Sequence, residues 1–165
     1  MTSQDWLPLA LRSVRRWEGC RLTAYRDPAT ANGLPITIGW GTTRDWNNKP
    51  FTLGTKISQA EADAYLERDV TKFAASIDLG IKTRLNANQF AACVSLAYNI
   101  GITAFLQSTL LKRINERDFD AAELQFHRWN RVGGVVVQGL TNRRKSEAAL
   151  FATPVGNDRC YGVTR

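Results

Sequence analysis

Apolar residues recur at spacings of three and four along several stretches of the chain, and this spacing predicts amphipathic helices. The first such stretch covers residues 3–17, with Ser3 as its N-cap. Pro8 must lie in or before the first turn, because a proline further along a helix breaks its hydrogen-bond ladder. We expect the helix to end near Glu18 and Gly19, since glycine accepts the left-handed geometry of a helix cap. The Glu18 side chain then lies at a chain reversal rather than on a solvated helix flank.

Two longer helices are marked by capping boxes, in which two side chains three positions apart bond to each other's backbone. The boxes and the helices that they predict are Ser58 with Glu61 for residues 58–80 and Asn86 with Gln89 for residues 86–101. The second helix is apolar on nearly all sides, so it should be the buried central helix. Shorter helices are predicted over residues 108–116, 120–129 and 141–152, and "VGGVVVQG" between the last two is a loop or a strand fragment.

Residues 22–57 differ in composition from the rest of the chain, because they are rich in β-branched and aromatic residues that are interrupted by glycines and prolines. This pattern is typical of short strands joined by turns, and we predict a small antiparallel sheet. Such a sheet is too small to bury its own face, so it must pack on the helices and form a groove where they meet. The predicted fold class is therefore α+β, mostly α. We expect one domain over residues 1–165, with a small β-containing lobe at about 18–57 and a helical lobe from the remainder.

Composition excludes several classes of protein. With 165 residues, 44% hydrophobic and 22% charged, the chain has the balance of a globular domain rather than of a disordered or fibrous protein. No run approaches the roughly 18 apolar residues that a membrane-spanning helix needs. Charges at Asp5, Arg12, Arg15 and Arg16 interrupt the N-terminal stretch, so we expect no signal peptide and synthesis in the cytoplasm.

The cysteines and the net charge narrow the function only slightly. Cys20, Cys93 and Cys160 share no metal-ligand spacing, so we expect reduced thiols. The net charge of +7 attracts polyanions. Nucleic acids, anionic lipids and the acidic peptide stems of a bacterial wall are all negative, so charge alone does not distinguish these partners.

Two carboxylates lie on either side of the predicted start of the sheet. Glu18 is at the end of the first helix and Asp27 is at the first turn of the sheet, where they can face each other across a groove. Hydrolysis of a glycosidic bond needs such a pair: a protonated acid for the leaving oxygen and an ionised carboxylate for water or the sugar cation. On spacing alone, two unrelated surface carboxylates explain these positions at least as well.

The residues around this pair resemble a known family. "EGCRLTAYRDPATANGLPITIGWGTT", residues 18–43, resembles the phage-type lysozymes, glycoside hydrolase family 24. Their pattern is Glu-Gly, Leu, a small residue, Tyr, one residue, Asp, a turn, and Thr-Ile-Gly-x-Gly-x-Thr. Residues 86–115, "NANQFAACVSLAYNIGITAFLQSTLLKRIN", and 139–151, "GLTNRRKSEAALF", are similar to the family's buried helix and C-terminal helix. The resemblance covers most of the chain in the family's order.

This resemblance implies roles for individual residues. Glu18 would be the general acid, Asp27 and Thr37 would hold the attacking water, and Arg143, with Arg144 next, would pair with Glu18. Residues implied to line the saccharide groove are Gly39, Gly41, Tyr98, Asn99 and Ser108. The segment "PATANGLPI" makes the turn between Asp27 and Thr37 longer than in many members. The role of Thr37 therefore requires the extra residues to form an outer loop.

The implied protein is a lysozyme-like endolysin that hydrolyses the β-1,4 bond between N-acetylmuramic acid and N-acetylglucosamine in bacterial peptidoglycan, for host lysis. No metal or organic cofactor, no nucleic-acid partner and no separate wall-binding domain are implied, and we expect a monomer. A holin would release the enzyme from the host cytoplasm to the cell wall. A basic surface would hold it on its anionic substrate, formed by Arg128, Arg131, Arg143, Arg144 and Lys145.

Two other functions compete with this one. A lytic transglycosylase breaks the same bond with one carboxylic acid and leaves an anhydro sugar, so the need for Asp27 distinguishes it. A non-catalytic basic module that binds the wall or nucleic acid would bind polyanions without turnover. It offers no reason for Glu18, Asp27 and Thr37 to occur in the family's order.

Overall fold

The structure, a computed structural model, describes residues 5–27 and 32–154, and of residues 160–161 the backbone only. Helices make up most of the described part. They are α1 (Trp6–Trp17), α2 (Gln59–Asp78), α3 (Ala87–Ile100), α4 (Ile102–Leu106), α5 (Thr109–Asn115), α6 (Phe119–Gln125) and α7 (Gln138–Ala152), with a 3-10 turn at Phe126–Trp129. The strands are short and antiparallel. They pair as β1 (Arg21–Arg26) with β2 (Ile36–Gly39), β3 (Leu85–Asn86) with β6 (Cys160–Tyr161), and β4 (Arg131–Val132) with β5 (Val135–Val136).

Both predicted capping boxes are present. Ser58 accepts a hydrogen bond from the Glu61 amide at 3.2 Å, and a Glu61 carboxylate oxygen accepts one from the Ser58 amide at 2.8 Å. At α3, the corresponding distances between Asn86 and Gln89 are 2.8 and 3.0 Å. The structure therefore confirms the two helix starts that the sequence predicted from local side-chain chemistry.

The Asn86 cap gives a stability prediction. Asn86→Ala should lower the free energy of unfolding by about 1 kcal/mol, because the amide of Gln89 loses its acceptor at the start of the central helix. Asn86→Asp keeps an acceptor and should stay close to wild type. Urea unfolding of the three proteins measures the difference, and equal losses in both variants would contradict the capping role.

Other boundaries differ from the predicted ones. Helix α1 begins at Trp6, after Asp5, and its predicted cap Ser3 lies outside the described residues. Helix α7 begins at Gln138, earlier than predicted, and α4 was not predicted. The stretch "VGGVVV" is a β-hairpin, because Gly133 and Gly134 have φ of 55° and 82° and so form the tight turn between β4 and β5.

The core is centred on α3, as predicted. Helices α1, α2 and α7 pack around it, and nearly every residue from Ala87 to Ala97 is buried. Cys93 is fully buried there, and burial raises the pKa of its thiol above the ordinary value. Cys20 and Cys93 are free thiols, while the side chain of Cys160 lies outside the described part.

The β1–β2 hairpin packs on α2, as the small size of the sheet predicted. Ala24 and Ile38 are buried with Phe51 and Tyr65 in a second, smaller core. Tyr25 lies directly opposite Thr37 in the register of the two strands. Because neighbouring side chains alternate between faces, Tyr25 and Thr37 lie on the face away from this core. None of the described helices is long and apolar enough to span a bilayer.

Candidate active site

Glu18 lies where α1 ends. Its backbone is extended, with φ of −97° and ψ of 137°, and its amide still donates to the Val14 carbonyl at 2.9 Å. The chain therefore turns away from the helix at this residue, as the sequence predicted. The side chain of Glu18 is 27% exposed, so the carboxylate is partly shielded and still open to a ligand.

Arg143 of α7 holds this carboxylate. Its Nη1 donates to Oε1 of Glu18 at 2.6 Å, and the side chain of Arg143 is only 4% exposed. A short hydrogen bond between opposite charges is among the stronger contacts in a protein. The pair implied by the resemblance therefore exists, and it fixes the position of Glu18 from a helix that is distant in sequence.

A buried charge network lies behind Arg143. Nε of Arg143 donates to Oε1 of Glu147 at 3.0 Å, and Nη2 donates to the Ser95 carbonyl at 3.3 Å. The Ser95 hydroxyl donates to the same Glu147 oxygen at 2.7 Å. Arg144 forms an ion pair with Glu147, Nε to Oε2, at 3.0 Å. We call Arg143, Arg144, Glu147 and Ser95 the Glu147 network.

This burial corrects one expectation. Arg143 and Arg144 are 3% and 0% exposed, so they do not belong to a basic surface. Burial lowers the pKa of Arg144 to about 10, although Glu147 opposes the change. Burial also raises the pKa of Glu147, against the two arginines. Arg128, Arg131 and Lys145 are exposed and remain candidates for the basic surface.

Asp27 and Thr37 both lie near Tyr25 of the hairpin. Thr37 is opposite Tyr25, so these two side chains share a face. Asp27 is the residue directly after β1, and its charge acts on the Tyr25 phenol. The Asp27 amide donates to the Gly33 carbonyl at 3.2 Å, which closes the hairpin beyond the longer turn. Residues 28–31 of that turn lie outside the described residues.

Thr37 is buried, at 5% exposure, and its hydroxyl donates to the Pro35 carbonyl at 3.1 Å. The hydroxyl oxygen still has lone pairs that accept a hydrogen bond. Its role with water therefore remains a prediction.

Tyr25 lies near both carboxylates. Its pKa is raised, first by burial, then by the negative charge of Asp27 and to a smaller extent by Glu18, while Arg21 opposes the rise. The Arg21 guanidinium lies 4.4 Å from the centre of the Tyr25 ring. The Tyr25 phenol therefore lies within electrostatic range of both Glu18 and Asp27.

Tyr98 lies near the end of α3. The Tyr98 hydroxyl donates to the Trp40 carbonyl at 3.0 Å, and Gly41 faces the same hydroxyl. Burial raises the pKa of Tyr98, with further contributions from the charges of Asp69 and Glu18. Tyr98 also lines a cleft of about 340 Å³. The lining residues of this cleft are Gly41, Thr43, Arg44, Asn48, Arg68, Asp69, Lys72, Phe73 and Tyr98.

The remaining groove candidates differ in what they can offer a saccharide. Asn99 is exposed, and its Oδ1 accepts a hydrogen bond from Nη2 of Arg144 at 3.0 Å. Ser108 lines a second cavity of about 460 Å³, near Gln107 and Trp129. The Ser108 hydroxyl is engaged in capping α5, because it donates to the Phe105 carbonyl at 2.6 Å and accepts from the Leu111 amide at 3.1 Å.

Gly39 is a correction. We expected it to line the groove, but it is buried, and a Cβ there would lie 3.3 Å from the Cβ of Ala62. Its φ of +62° also disfavours any other residue. Gly39 therefore allows β2 to approach α2 closely. Gly41, with φ of +111°, is exposed beside Tyr98.

Comparison with known proteins identifies the family of this chain. A family model described as phage lysozyme matches residues 15–147. The chain belongs to the phage lysozyme family. It is 39% identical over 142 residues to the endolysin of Acyrthosiphon pisum secondary endosymbiont phage 1, covering 84% of this chain and 91% of that protein. It spans about half the length, 51%, of the endolysins of Bacillus phages PZA and B103 that it also matches.

Solved structures of phage lysozyme relatives share the fold. The endolysin from Escherichia coli O157:H7 phage FAHEc1 is 37% identical, with a TM-score of 0.78 and coverage of 96% of this chain and 97% of that chain. The muramidase domain of SpmX from Asticaccaulis excentricus is 31% identical, with a TM-score of 0.76 and coverage of 88% and 96%. The lysozyme-like α+β fold, mostly α, is thus confirmed.

Sequence reasoning missed Glu147 and Ser95. The spacing of Arg143, Arg144 and Glu147, three and four positions apart on one helix, was a usable signal for ion pairs. The sequence around these residues does not indicate that the ion pairs are buried, because their burial depends on the packing of α7 against α3, the helix that carries Ser95.

Among the described residues, no group of three His, Cys, Asp or Glu side chains is arranged to hold a metal ion.

Proposed function

We propose that this phage lysozyme hydrolyses the β-1,4 bond between N-acetylmuramic acid and N-acetylglucosamine in bacterial peptidoglycan. The observation that carries the proposal is Glu18, a partly exposed carboxylate held at 2.6 Å by a buried arginine. The charges of Glu18 and Asp27 both act on the Tyr25 phenol. Family membership supports a glycosidase, and the SpmX relative is described as a muramidase domain.

In the proposed reaction, Glu18 donates its proton to the glycosidic oxygen as the bond from C1 to that oxygen breaks. A water held by Asp27 and Thr37 attacks C1 from the other face and passes a proton to Asp27. The products are two sugars with free hydroxyls, one of them a reducing end. A pair of carboxylates is sufficient for this step, and attack by water between them inverts the anomeric configuration.

The biological role we propose is host lysis by an endolysin that accumulates in the host cytoplasm and works as a monomeric catalytic domain over residues 1–165. A holin would give it access to the wall. Its net charge of +7 suits a substrate whose peptide stems carry carboxylates.

The proposal is tested with purified peptidoglycan. The wild-type protein should clear a suspension of it and release reducing ends in proportion to time and enzyme. Binding to the wall without release of reducing ends would contradict the proposal and favour a non-catalytic module.

The cleft beside Tyr98 predicts a preference for walls that carry peptide stems. In this cleft, Asp69 forms an ion pair with Arg68 at 2.7 Å and accepts a hydrogen bond from the Thr42 hydroxyl at 2.7 Å. Arg44 and Lys72 are exposed cations in the cleft lining, and they can meet the carboxylates of a peptide stem. Lys72→Met should raise KM about two- to fivefold on stem-bearing peptidoglycan, as expected for one exposed ion pair. The same variant should behave as wild type on glycan stripped of peptides.

The matched control for this prediction is Lys82→Met, which removes an exposed lysine outside the cleft lining. It should leave KM unchanged on both substrates. Equal effects of Lys72→Met on stem-bearing and stripped glycan would contradict recognition of the stem carboxylates.

A further inference from the structure

The Glu147 network connects Glu18 and Asn99 to one buried carboxylate. Glu147 is fully buried, and its Oε1 accepts hydrogen bonds from Nε of Arg143 at 3.0 Å and from Nη2 of Arg144 at 3.4 Å. Its Oε2 forms the ion pair with Nε of Arg144. Arg143 extends to Glu18, and Arg144 extends to Asn99 at 3.0 Å. Both arginines are buried, whereas Glu18 is partly exposed and Asn99 is exposed. One carboxylate in the core thus fixes two guanidinium groups that each hold a more exposed residue.

The neighbouring helices complete this arrangement. The Ser95 hydroxyl of α3 donates to Oε1 of Glu147 at 2.7 Å, and the Ser13 hydroxyl of α1 donates to Ser95 at 2.9 Å. Together with Ser13, the network therefore connects α1, α3 and α7.

Stability alone is a poor explanation for these charges. Nε and Nη1 of Arg144 and Oε2 of Glu147 are buried without a hydrogen-bond partner among the described residues. The ion pair of 3.0 Å between Nε and Oε2 is therefore misaligned as a hydrogen bond. Buried, incompletely bonded charges cost free energy that apolar side chains of similar volume would not. What the network does provide is a fixed position for Glu18 and Asn99.

We propose that Glu147 is a positioning residue of the active site, which sets the charge and orientation of Arg143 at Glu18 and, through Arg144, the orientation of Asn99. This inference rests on the proposed function, in which Glu18 is the general acid. Glu147 itself touches no substrate. Its effect on Glu18 passes through Arg143.

The sign of the electrostatic effect follows from the charges that face Glu18. These are Arg143 and Arg144 of α7, the neutral phenols Tyr98 of α3 and Tyr25 of β1, and Asp27 and Arg21 beyond Tyr25. The negative charge of Glu147 offsets the positive charge of one of the two buried arginines. Removing its charge leaves more positive potential at Glu18, which favours the carboxylate and opposes the protonated acid that catalysis needs.

The test is the pH profile of kcat on purified peptidoglycan for three variants. Glu147→Gln should move the alkaline limb of this profile to lower pH by about one unit, because the negative charge of Glu147 is lost. Arg144→Gln removes a positive charge, so it should move the same limb to higher pH. The double variant Arg144→Gln with Glu147→Gln restores the charge balance and should return the limb close to wild type.

A purely structural role predicts something else: reduced activity or a lower Tm in all three variants with the alkaline limb unchanged. That result would overturn the inference, and so would shifts of the same sign in Glu147→Gln and Arg144→Gln. If Glu147→Gln does not fold, Ser95→Ala removes one donor to Glu147 and no formal charge. It should move the limb slightly down, and an unchanged profile would also overturn the inference.

Failure of the proposed function gives a different result. In that case the wild-type protein itself releases no reducing ends from peptidoglycan. An active wild type with variant profiles that do not shift leaves the proposed function standing and removes only the role of Glu147.

Discussion

Glu18→Gln is expected to reduce kcat for release of reducing ends by about 10²- to 10⁴-fold, the usual contribution of a general acid. Glutamine cannot donate a proton to the glycosidic oxygen, but its side-chain oxygen can still accept the hydrogen bond from Arg143. The fold and binding of the wall should therefore remain. A circular dichroism melt and a pull-down on insoluble peptidoglycan check both properties alongside the activity.

The matched control is Glu67→Gln, which neutralises an exposed glutamate on α2. It should have wild-type activity and stability. If Glu18→Gln keeps most of its activity while folding normally, Glu18 is not the acid, and the assignment of the whole site to this end of α1 is wrong.

Asp27→Asn should have the second large effect, a loss of kcat of about 10²-fold or more with little change in stability. Asparagine has the same shape, but it cannot accept the proton of the attacking water. Asp27 directly follows β1, and in the proposed reaction the water that it holds attacks from the side opposite Glu18. Initial rates on purified peptidoglycan measure the loss, with Asp120→Asn on the exposed start of α6 as the control.

A different mechanism would leave Asp27→Asn largely active. A lytic transglycosylase uses the substrate's own hydroxyl in place of water, so it needs only Glu18. Retained activity in this variant would favour that enzyme over the hydrolase, and loss of activity restored by a small exogenous nucleophile would support the paired-carboxylate mechanism.

The parts of the fold that the sequence predicts well depend on neighbouring residues. The box of Asn86 and Gln89 is a local arrangement, so it marks the start of α3 without knowledge of the rest of the fold. The continuous apolar surface of α3 likewise predicts its burial. Helix α4, with five residues after Gly101, is too short to show a period and was missed.

The active site is predictable where a residue type and its place in the chain settle the chemistry. Glu18 lies at a helix end that the sequence predicts, and its pairing with Arg143 follows from the resemblance. The burial of Arg143 and Arg144 was not predictable, because it depends on the packing of α7 against α3. Gly39 was misassigned for the same reason, since its contact with Ala62 belongs to the packing of β2 on α2.

The most direct test of the central claim is mass spectrometry of the sugars that the wild-type protein releases from purified peptidoglycan. Hydrolysis by Glu18, Asp27 and a bound water predicts muropeptides with hydrated reducing ends, and none should form with Glu18→Gln. Anhydro products, one water molecule lighter, would contradict the hydrolytic mechanism even if the suspension clears.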